Sequence, residues 1–417
     1  MIDPTHKIFD PSRAEGLRRI GSFLERAGKY YTENRNYDLG PQNRPNVSEL
    51  SAYLRLRLIT EKELTRKVLS QHSLSEAGKF IEEVCWRTYW KGWVEHRPKV
   101  WSTYLQELED LKNNVESNAD LYDRYRKAIT GQTHIEAFDF WVHELISTGY
   151  LHNHARMWFA SIWIFTLGLP WVLGAQFFFH HLLDGDPASN TLSWRWVAGL
   201  QTKGKSYIAK SENIFRFTKG RFHPKNQLLE HPHLLPFLEE PIEENLGFKK
   251  VHSCFQNLEN IVLLVTEENL TPEHWCLSKS CVKGIAALPP NSNDPPISES
   301  VLCFREAAIQ ETLLRAQNFF CSPTTSLHEP IERDLLAFCQ SLHVHEIVTA
   351  YVPIGPTRQR IDRLKTTLVS SGIAFREVHT DWDAAFWPHA RAGYFKLKER
   401  IPDVLDQLFR DEKEGRG

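Results

Sequence analysis

Two short stretches carry residue types whose spacing suits joint chemistry. In the first, His152, Asn153, Arg156 and Met157 recur at i+3 and i+4 intervals. Helical geometry would gather these four side chains, an imidazole, an amide, a cation and a thioether, on adjacent turns. In the second, Asp184-Gly185-Asp186-Pro187-Ala188-Ser189-Asn190 sets two carboxylates and an amide on a tight turn just ahead of Trp194 and Trp196. Such a turn can cap the following helix or supply half of a cation site, and taken alone it favours the cap. Between the two, Met157 to Leu183 contains no Asp, Glu, Lys or Arg and is heavy in Trp and Phe. A run of that length could span a membrane. Against this, Gly168, Pro170 and Gly174 interrupt it, His180 and His181 lie near its end, and no basic cluster flanks it. Two buried helices joined at Gly168-Leu169-Pro170 fit better.

Other stretches lean on this core. Glu83, Trp86, Arg87 and Trp90 fall at i, i+3, i+4 and i+7, one face of a helix within Phe80 to Trp93. That face is either an ordinary amphipathic one with a Glu–Arg pair or part of a pocket. Ser48 and Ser51 precede a helical pattern and could cap it. Lys and Arg are dense from Lys203 to Lys225, which is either a solvated loop or a phosphate-contacting patch. Of the 13 Trp, ten lie between Trp86 and Trp196, so the aromatic excess needs a local cause: a stacked ligand, an electron path or a bulky core.

The order G-Y-L-H-N-x-x-R-M, then D-G-D-P-A-S-N, then W-R-W resembles the FAD-binding helical domain of the photolyase/cryptochrome family. The likeness spans about residues 10–225, and it implies a bound FAD and light-driven chemistry on pyrimidine dimers. The resemblance assigns cofactor contacts to Tyr31, Ser48, Leu50, Ser51, Phe80, Arg87, Arg156, Asp184, Asp186 and Asn190. It assigns the lesion pocket to Glu83, Trp86, Asn153, Met157 and Trp196, with Trp86 and Trp196 enclosing a flipped-out dinucleotide. Trp171 and Trp194 resemble the middle and flavin-proximal members of an electron-transfer chain. No distal member occurs between Trp101 and Trp141, and Trp158 and Trp163 are a substitute exit or simply core. Arg35, Lys203, Lys205, Arg216, Lys219 and Arg221 become phosphate contacts, with UV-damaged DNA as the implied partner. Asn153 and Met157 stand where members acting on the (6-4) product carry His, so a cyclobutane pyrimidine dimer is the expected lesion. The other reading is a cryptochrome-like blue-light photoreceptor without repair.

The chain departs from the family pattern in several places. Val47 and Ala52 replace a usual Thr and Pro beside Ser48 and Ser51. His154 replaces an Arg, which removes a permanent cation. Thr166 stands where an Asp is expected to pair with Arg156, leaving that cation less offset. The family's α/β antenna domain has no room ahead of a flavin signature that begins within about thirty residues.

The 417 residues suggest two domains, and the 41% hydrophobic and 24% charged content is that of a globular protein. The net charge of −2 hides an asymmetry: residues 1–230 hold 31 Lys and Arg against 26 Asp and Glu, the remainder 19 against 26. Only the first part has the sign for contacting phosphates. Seven Cys without a paired framework fit reduced thiols, and the spacing of Cys276, Cys281 and Cys303 fits no common metal site. The N-terminus has no apolar signal-like core, so secretion is not expected, and the protein is expected to be cytoplasmic, non-membrane and monomeric. The expected fold is an all-helical FAD-binding domain over 1–235, a Pro-rich acidic linker over 236–258, and a smaller parallel-sheet α/β domain over 259–417. In the last, NIVLLVT, KGIAAL, EIVTAYVP and AFREVHT read as strands alternating with helices. No glycine-rich fingerprint follows any of them, so a dinucleotide site there is unsupported. This domain could be the antenna domain in permuted order, and whether it holds a second chromophore is open.

Overall fold

The computed structural model describes residues 9–202, 205–232, 258–275, 277–290 and 295–413. Lys203, Cys276 and nearly all of the expected linker therefore lie outside the described residues. Up to Phe217 the regular elements are helical. The helical period from Ala14 to Tyr31 is divided between α1 (Arg13–Phe23) and α2 (Lys29–Asn34). The single helix expected after Ser48 is also broken: α3 (Ser51–Arg55) lasts one turn, Arg57 takes a positive φ of 49°, and α4 (Glu61–Leu69) restarts on a Thr60 cap. Neither Ser48 nor Ser51 caps α3, whose N-cap position is Leu50.

α5 (Leu74–Glu95) is the central helix. Ser73 and Glu76 close a capping box at its start, an arrangement in which the cap alone is worth about 1 kcal/mol. α6 (Lys99–Val115), α7 (Ala119–Ile129) and α8 (Glu136–Thr148) follow. α8 stops at Gly149, where φ is 66° and a Cβ would lie 2.6 Å from Leu183. α9 (Asn153–Ser161) runs into a π-helical turn at Ile162–Thr166, and α10 (Trp171–His181) restarts after Gly168-Leu169-Pro170, as the interruptions predict. α11 (Pro187–Val197) packs so closely on α10 that a Cβ on Gly174 would lie 2.3 Å from the Trp194 ring. α12 (Ser211–Phe217) ends the series. No helix of the described residues is long and apolar enough to cross a membrane.

The remainder is built on a parallel sheet of five strands in the order β3-β2-β1-β4-β5. β1 (Ile261–Val265), β2 (Val282–Ala287), β4 (Glu346–Ala350) and β5 (Ala374–Val378) are the four expected strands. The fifth, β3 (Thr324–Ser326), is three residues with no apolar side chain, so no pattern announced it. α13 (Glu299–Phe320), α14 (Ile331–Ser341) and α15 (Pro356–Ser370) cover the sheet. β1 is buried on both faces, as parallel strands are. Val262 and Leu264 pack with Leu335 of α14 and Leu364 of α15, whereas Ile261, Leu263 and Val265 belong to one core with the helical half.

The chain then returns to the helical half. α16 (Asp381–Phe386), α17 (Tyr394–Lys398) and α18 (Ile401–Lys413) follow β5, and the first two lie against α5. Trp382 Nε1 donates to Thr88 Oγ1 at 2.9 Å, and Tyr89 OH donates to Ala392 O at 3.0 Å. A Cβ on Gly92 would come within 2.8 Å of Ala390 and Trp387, so only glycine permits this approach.

Candidate functional site

The site forms where α5, the stretch before α3 and the Asp184–Asp186 turn converge. A cavity of about 140 Å³ is lined by Tyr31, Ser48, Leu50, Ser51, Phe80, Glu83 and Arg87, together with Leu54, Glu61, Leu64 and Val84. Phe80, Val84 and Arg87 reach it because spacings of three and four residues share a helix face. Tyr31 and Phe80 meet edge to face at 5.1 Å between centroids. The cavity is smaller than the roughly 300–1000 Å³ of sites for cofactor-sized ligands, so it matches one portion of such a ligand. Because α3 is a single turn, any anion there relies on individual donors more than on a helix dipole.

Arg87 is the donor best placed for such a ligand. Its Nη2 donates to Ser51 O at 3.1 Å, while its Nη1 is buried and has no partner. Burial also lowers its pKa, against the pull of Asp186 and Asp184. Beside it, Asp184 receives both terminal nitrogens of Arg156, at 3.0 and 2.9 Å. Burial would raise the Asp184 pKa, but Arg156 and Arg87 hold it below the usual carboxylate range. This corrects the expectation drawn from Thr166: Arg156 is fully offset, by Asp184. Thr166 instead accepts a hydrogen bond from Leu229 N through its hydroxyl.

Asp186 confirms the plain reading of its turn, since its Oδ1 accepts from Ser189 N at 2.7 Å and caps α11. Its other oxygen faces Lys91 at 3.4 Å and Arg55 at 3.8 Å. Burial opposes its charge, yet these cations hold its pKa far below normal. α11 carries Asn190, Trp194 and Trp196. Asn190 Nδ2 donates to Ala175 O at 2.7 Å, which fixes the amide against α10.

The expected lesion pocket is only partly assembled in the open. Trp86 and Trp196 are half-buried, and each has an aromatic neighbour from the chain itself. Trp86 stacks on Tyr394 of α17 at 3.5 Å and 12°, and Trp196 stacks on Tyr207 at 5.8 Å and 26°. Glu83 pairs with Arg35 at 2.6 Å. Burial raises the Glu83 pKa, with Arg35 opposing. Asn153 is exposed and Met157 half-buried at the start of α9. His152 caps that helix: its Nδ1 accepts from His154 N and its Nε2 donates to Arg35 O at 3.0 Å. Burial pushes the His152 pKa down to about 4, so it is neutral. His154 bonds Asn36 O at 2.7 Å and is likewise lowered by burial, so it supplies no cation.

The expected phosphate contacts divide. Lys205, Arg216 and Lys219 are exposed. Arg221 is committed to Asp38, with Nη2 2.8 Å from the carboxylate, and Arg35 is committed to Glu83. Neither is a free phosphate ligand as positioned.

Each Trp of the expected aromatic path has close aromatic neighbours. Trp194 meets Trp163 edge to face at 6.2 Å and Phe178 at 5.1 Å. Trp171 lies beside Tyr104 at 5.8 Å. Trp158 stacks on Trp141 at 5.5 Å and donates to Asn213 Oδ1. Both Trp158 and Trp163 are fully buried, as core residues would be. Among the described residues no group of His, Cys, Asp and Glu could hold a metal ion.

Residues 80–229 match the family described as the FAD binding domain of DNA photolyase. This part of the chain is thus similar to a photolyase-type flavin domain. Its cofactor is FAD, and the unpartnered Arg87 nitrogen beside Ser51 fits an anionic, hydrogen-bonding ligand of that kind. The chain is 28% identical over 209 residues to the deoxyribodipyrimidine photo-lyase of Neurospora crassa, covering 49% of this chain and 33% of that protein. It is 31% identical over 157 residues to the photo-lyase of Streptomyces griseus, covering 37% and 33%. The chain thus spans about a third of the length of these two relatives. A bacterial class III photolyase structure from Agrobacterium tumefaciens is 24% identical, covers 52% of this chain and 44% of that one, and superposes with a TM-score of 0.43.

Sequence reasoning missed Arg55, Lys91, Arg305 and Tyr394, which touch the flavin turn or Trp86, and Glu268, which pairs with Arg55 and Lys91. One signal was available: Glu267 and Glu268 follow the uncharged strand β1 after a single Thr266, an unusual place for paired acids unless cations await them.

Proposed function

We propose that this protein is a light-driven DNA repair flavoprotein that splits cyclobutane pyrimidine dimers. The supporting observation is that α5 places a cavity face (Phe80, Arg87) and an aromatic rim (Trp86, with Glu83 paired to Arg35) on adjacent sides of one rigid helix. FAD, when bound, supplies the light-driven electron. Tyr31, Ser48, Leu50, Ser51, Phe80, Arg87, Arg156, Asp184, Asp186 and Asn190 would hold it. Arg87 and the Arg156–Asp184 pair set the charge around it, and buried Trp194 with the α10 aromatics excludes water on that side. Tyr394 and Tyr207 back one face each of Trp86 and Trp196, leaving the rest of each ring for an extruded base, which stacking on an aromatic favours by about 1–3 kcal/mol. Glu83, raised by burial and oriented by Arg35, is a hydrogen-bonding group for the base edges, with Asn153 and Met157 completing the pocket. Lys205, Arg216 and Lys219 contact phosphates.

The test is a pair of variants, Trp196→Ala and Glu83→Ala, scored for light-dependent repair and for FAD content. Loss of repair with FAD retained supports the reading; unimpaired repair in both variants removes the pocket assignment. One observation favours a second reading, a blue-light photoreceptor without repair: the Trp86 ring is already stacked by Tyr394. If that stack closes the pocket, Tyr394→Ala gains repair that the wild type lacks.

A further inference from the structure

The largest buried charge cluster of the described residues lies where the two halves meet, against the flavin turn. The loop after β1 inserts Glu267 and Glu268, each about 5% exposed or less, into the helical half. Glu268 binds Arg55 Nη2 at 2.8 Å and Lys91 Nζ at 3.0 Å. The same two cations face Asp186. Glu267 binds Arg305 Nη1 of α13 at 3.0 Å and accepts from Thr357 Oγ1 of α15 at 3.0 Å. Two guanidinium groups then converge on one carbonyl: Arg55 Nε and Arg305 Nη2 donate to Gly185 O at 3.0 and 3.2 Å. From the other side, the loop after β4 brings Gly355 so close to Pro187 that a Cβ would lie 2.9 Å from its ring.

The charges in this cluster balance. Arg55, Lys91 and Arg305 supply three cations, and Asp186, Glu267 and Glu268 three anions, all almost fully buried. Burial opposes the charge on Glu268, and Arg55 and Lys91 keep its pKa below normal. Removing one member leaves a buried charge uncompensated, which the nearest mobile group must answer. For Arg55 and Lys91 the other counter-ion is Asp186, the cap of α11.

We propose that Glu268 and Arg305 are positioning residues of the flavin site. They lock the Asp184–Asp186 turn, and through the Asp186 cap they fix Asn190 and Trp194, so the sheet half is a working part of the cofactor site. The crevice at the carboxyl ends of β1 and β4, where such sheets commonly take a ligand, is filled by the flavin domain instead. This rests on the flavin assignment and is independent of repair activity.

The experiment compares full-length Glu268→Gln with Glu377→Gln, which breaks a half-buried pair between the edge strand β5 and Arg358 of α15 and touches no member of the Glu268 cluster. Titration with FAD is followed by flavin fluorescence and visible circular dichroism. Glu268→Gln is expected to weaken FAD binding about tenfold or more and to change the flavin dichroism, because a small misplacement of supporting groups loosens a site. Glu268→Asp is expected to recover part of that loss, and Glu377→Gln is expected to bind as wild type. If Glu268→Gln is not recovered folded, Arg305→Lys is read in the same way. Equal FAD affinity in Glu268→Gln and wild type, with only a lower melting temperature, overturns the proposal. If the wild type itself binds no FAD, the flavin assignment fails. Hydrogen exchange of amides 184–190 in the free protein then decides, with faster exchange in Glu268→Gln alone supporting positioning and unchanged exchange overturning it.

Discussion

The two sides of α5 are built to different rules. Toward the sheet half and the C-terminal helices, Thr88 accepts from Trp382, Tyr89 donates to Ala392 O, Lys91 is paired with Glu268, and Glu95 accepts from Tyr351 OH and Ile354 N at 2.7 Å each. Toward the cavity, Arg87 keeps a buried nitrogen without a partner. Because Arg87 also lines the cavity, that nitrogen is available to a ligand bound there. A single helix can thus hold an interface with one side and a cofactor with the other, because residues three or four apart share a face and those between do not.

The comparison is broken most severely on the matched side. Arg57 gives two bonds to Asp383 of α16, at 2.7 and 2.6 Å, and is nearly fully buried. Asp383→Ala leaves Arg57 with Glu61 alone and should cost roughly 3–5 kcal/mol in denaturant unfolding, the range for a broken buried pair. A loss below about 1 kcal/mol would mean that α16 does not staple the turn between α3 and α4 to the rest of the helical half. On the unmatched side the effect moves from stability to binding. Arg87→Gln removes one hydrogen bond to Ser51 O, so the free protein should lose only about 1 kcal/mol. Its FAD affinity should fall roughly ten- to a hundredfold, the worth of a bond to a charged group. A variant that binds FAD normally would take Arg87 out of the site.

Smaller effects sharpen the contrast. Trp382→Phe deletes the bond to Thr88 and shrinks a buried ring, and should cost about 1–3 kcal/mol with FAD affinity unchanged. The pH dependence concerns Glu95, whose pKa burial raises to about 7 against its hydrogen bonds from Ile354 N and Tyr351 OH. A carboxyl whose folded pKa is raised contributes stability fully below its unfolded pKa and loses it as pH rises through about 7. Wild-type stability should therefore decline between about pH 5 and pH 8 more steeply than that of Glu95→Gln, measured by urea unfolding at each pH. Equal slopes would contradict the assignment.

Much of this was legible in the chain. β1 and β4 announced themselves as runs rich in Val, Ile and Leu, and Gly168-Leu169-Pro170 marked the break between α9 and α10, because these are local signals. β3 was not legible, since Thr324-Thr325-Ser326 has no apolar side to read. Arg156 was expected to be less offset because Thr166 replaces an Asp, but its carboxylate comes from the turn 28 residues away, and only the fold brings it near. Trp86 and Tyr394 are 308 positions apart, and Arg55 and Glu268 213 apart, so no periodicity connects them. Residue types for the cofactor could be chosen from the sequence; which groups were already matched could not.

The most direct measurement is repair of a cyclobutane thymine dimer in a short oligonucleotide by the full-length, FAD-loaded and reduced protein, under blue light and in the dark. Light-dependent recovery of thymine absorbance, absent in the dark, is the result expected of a repair enzyme. Bound FAD that is reduced by light, with no recovery of thymine under any illumination, would contradict repair and leave the photoreceptor reading.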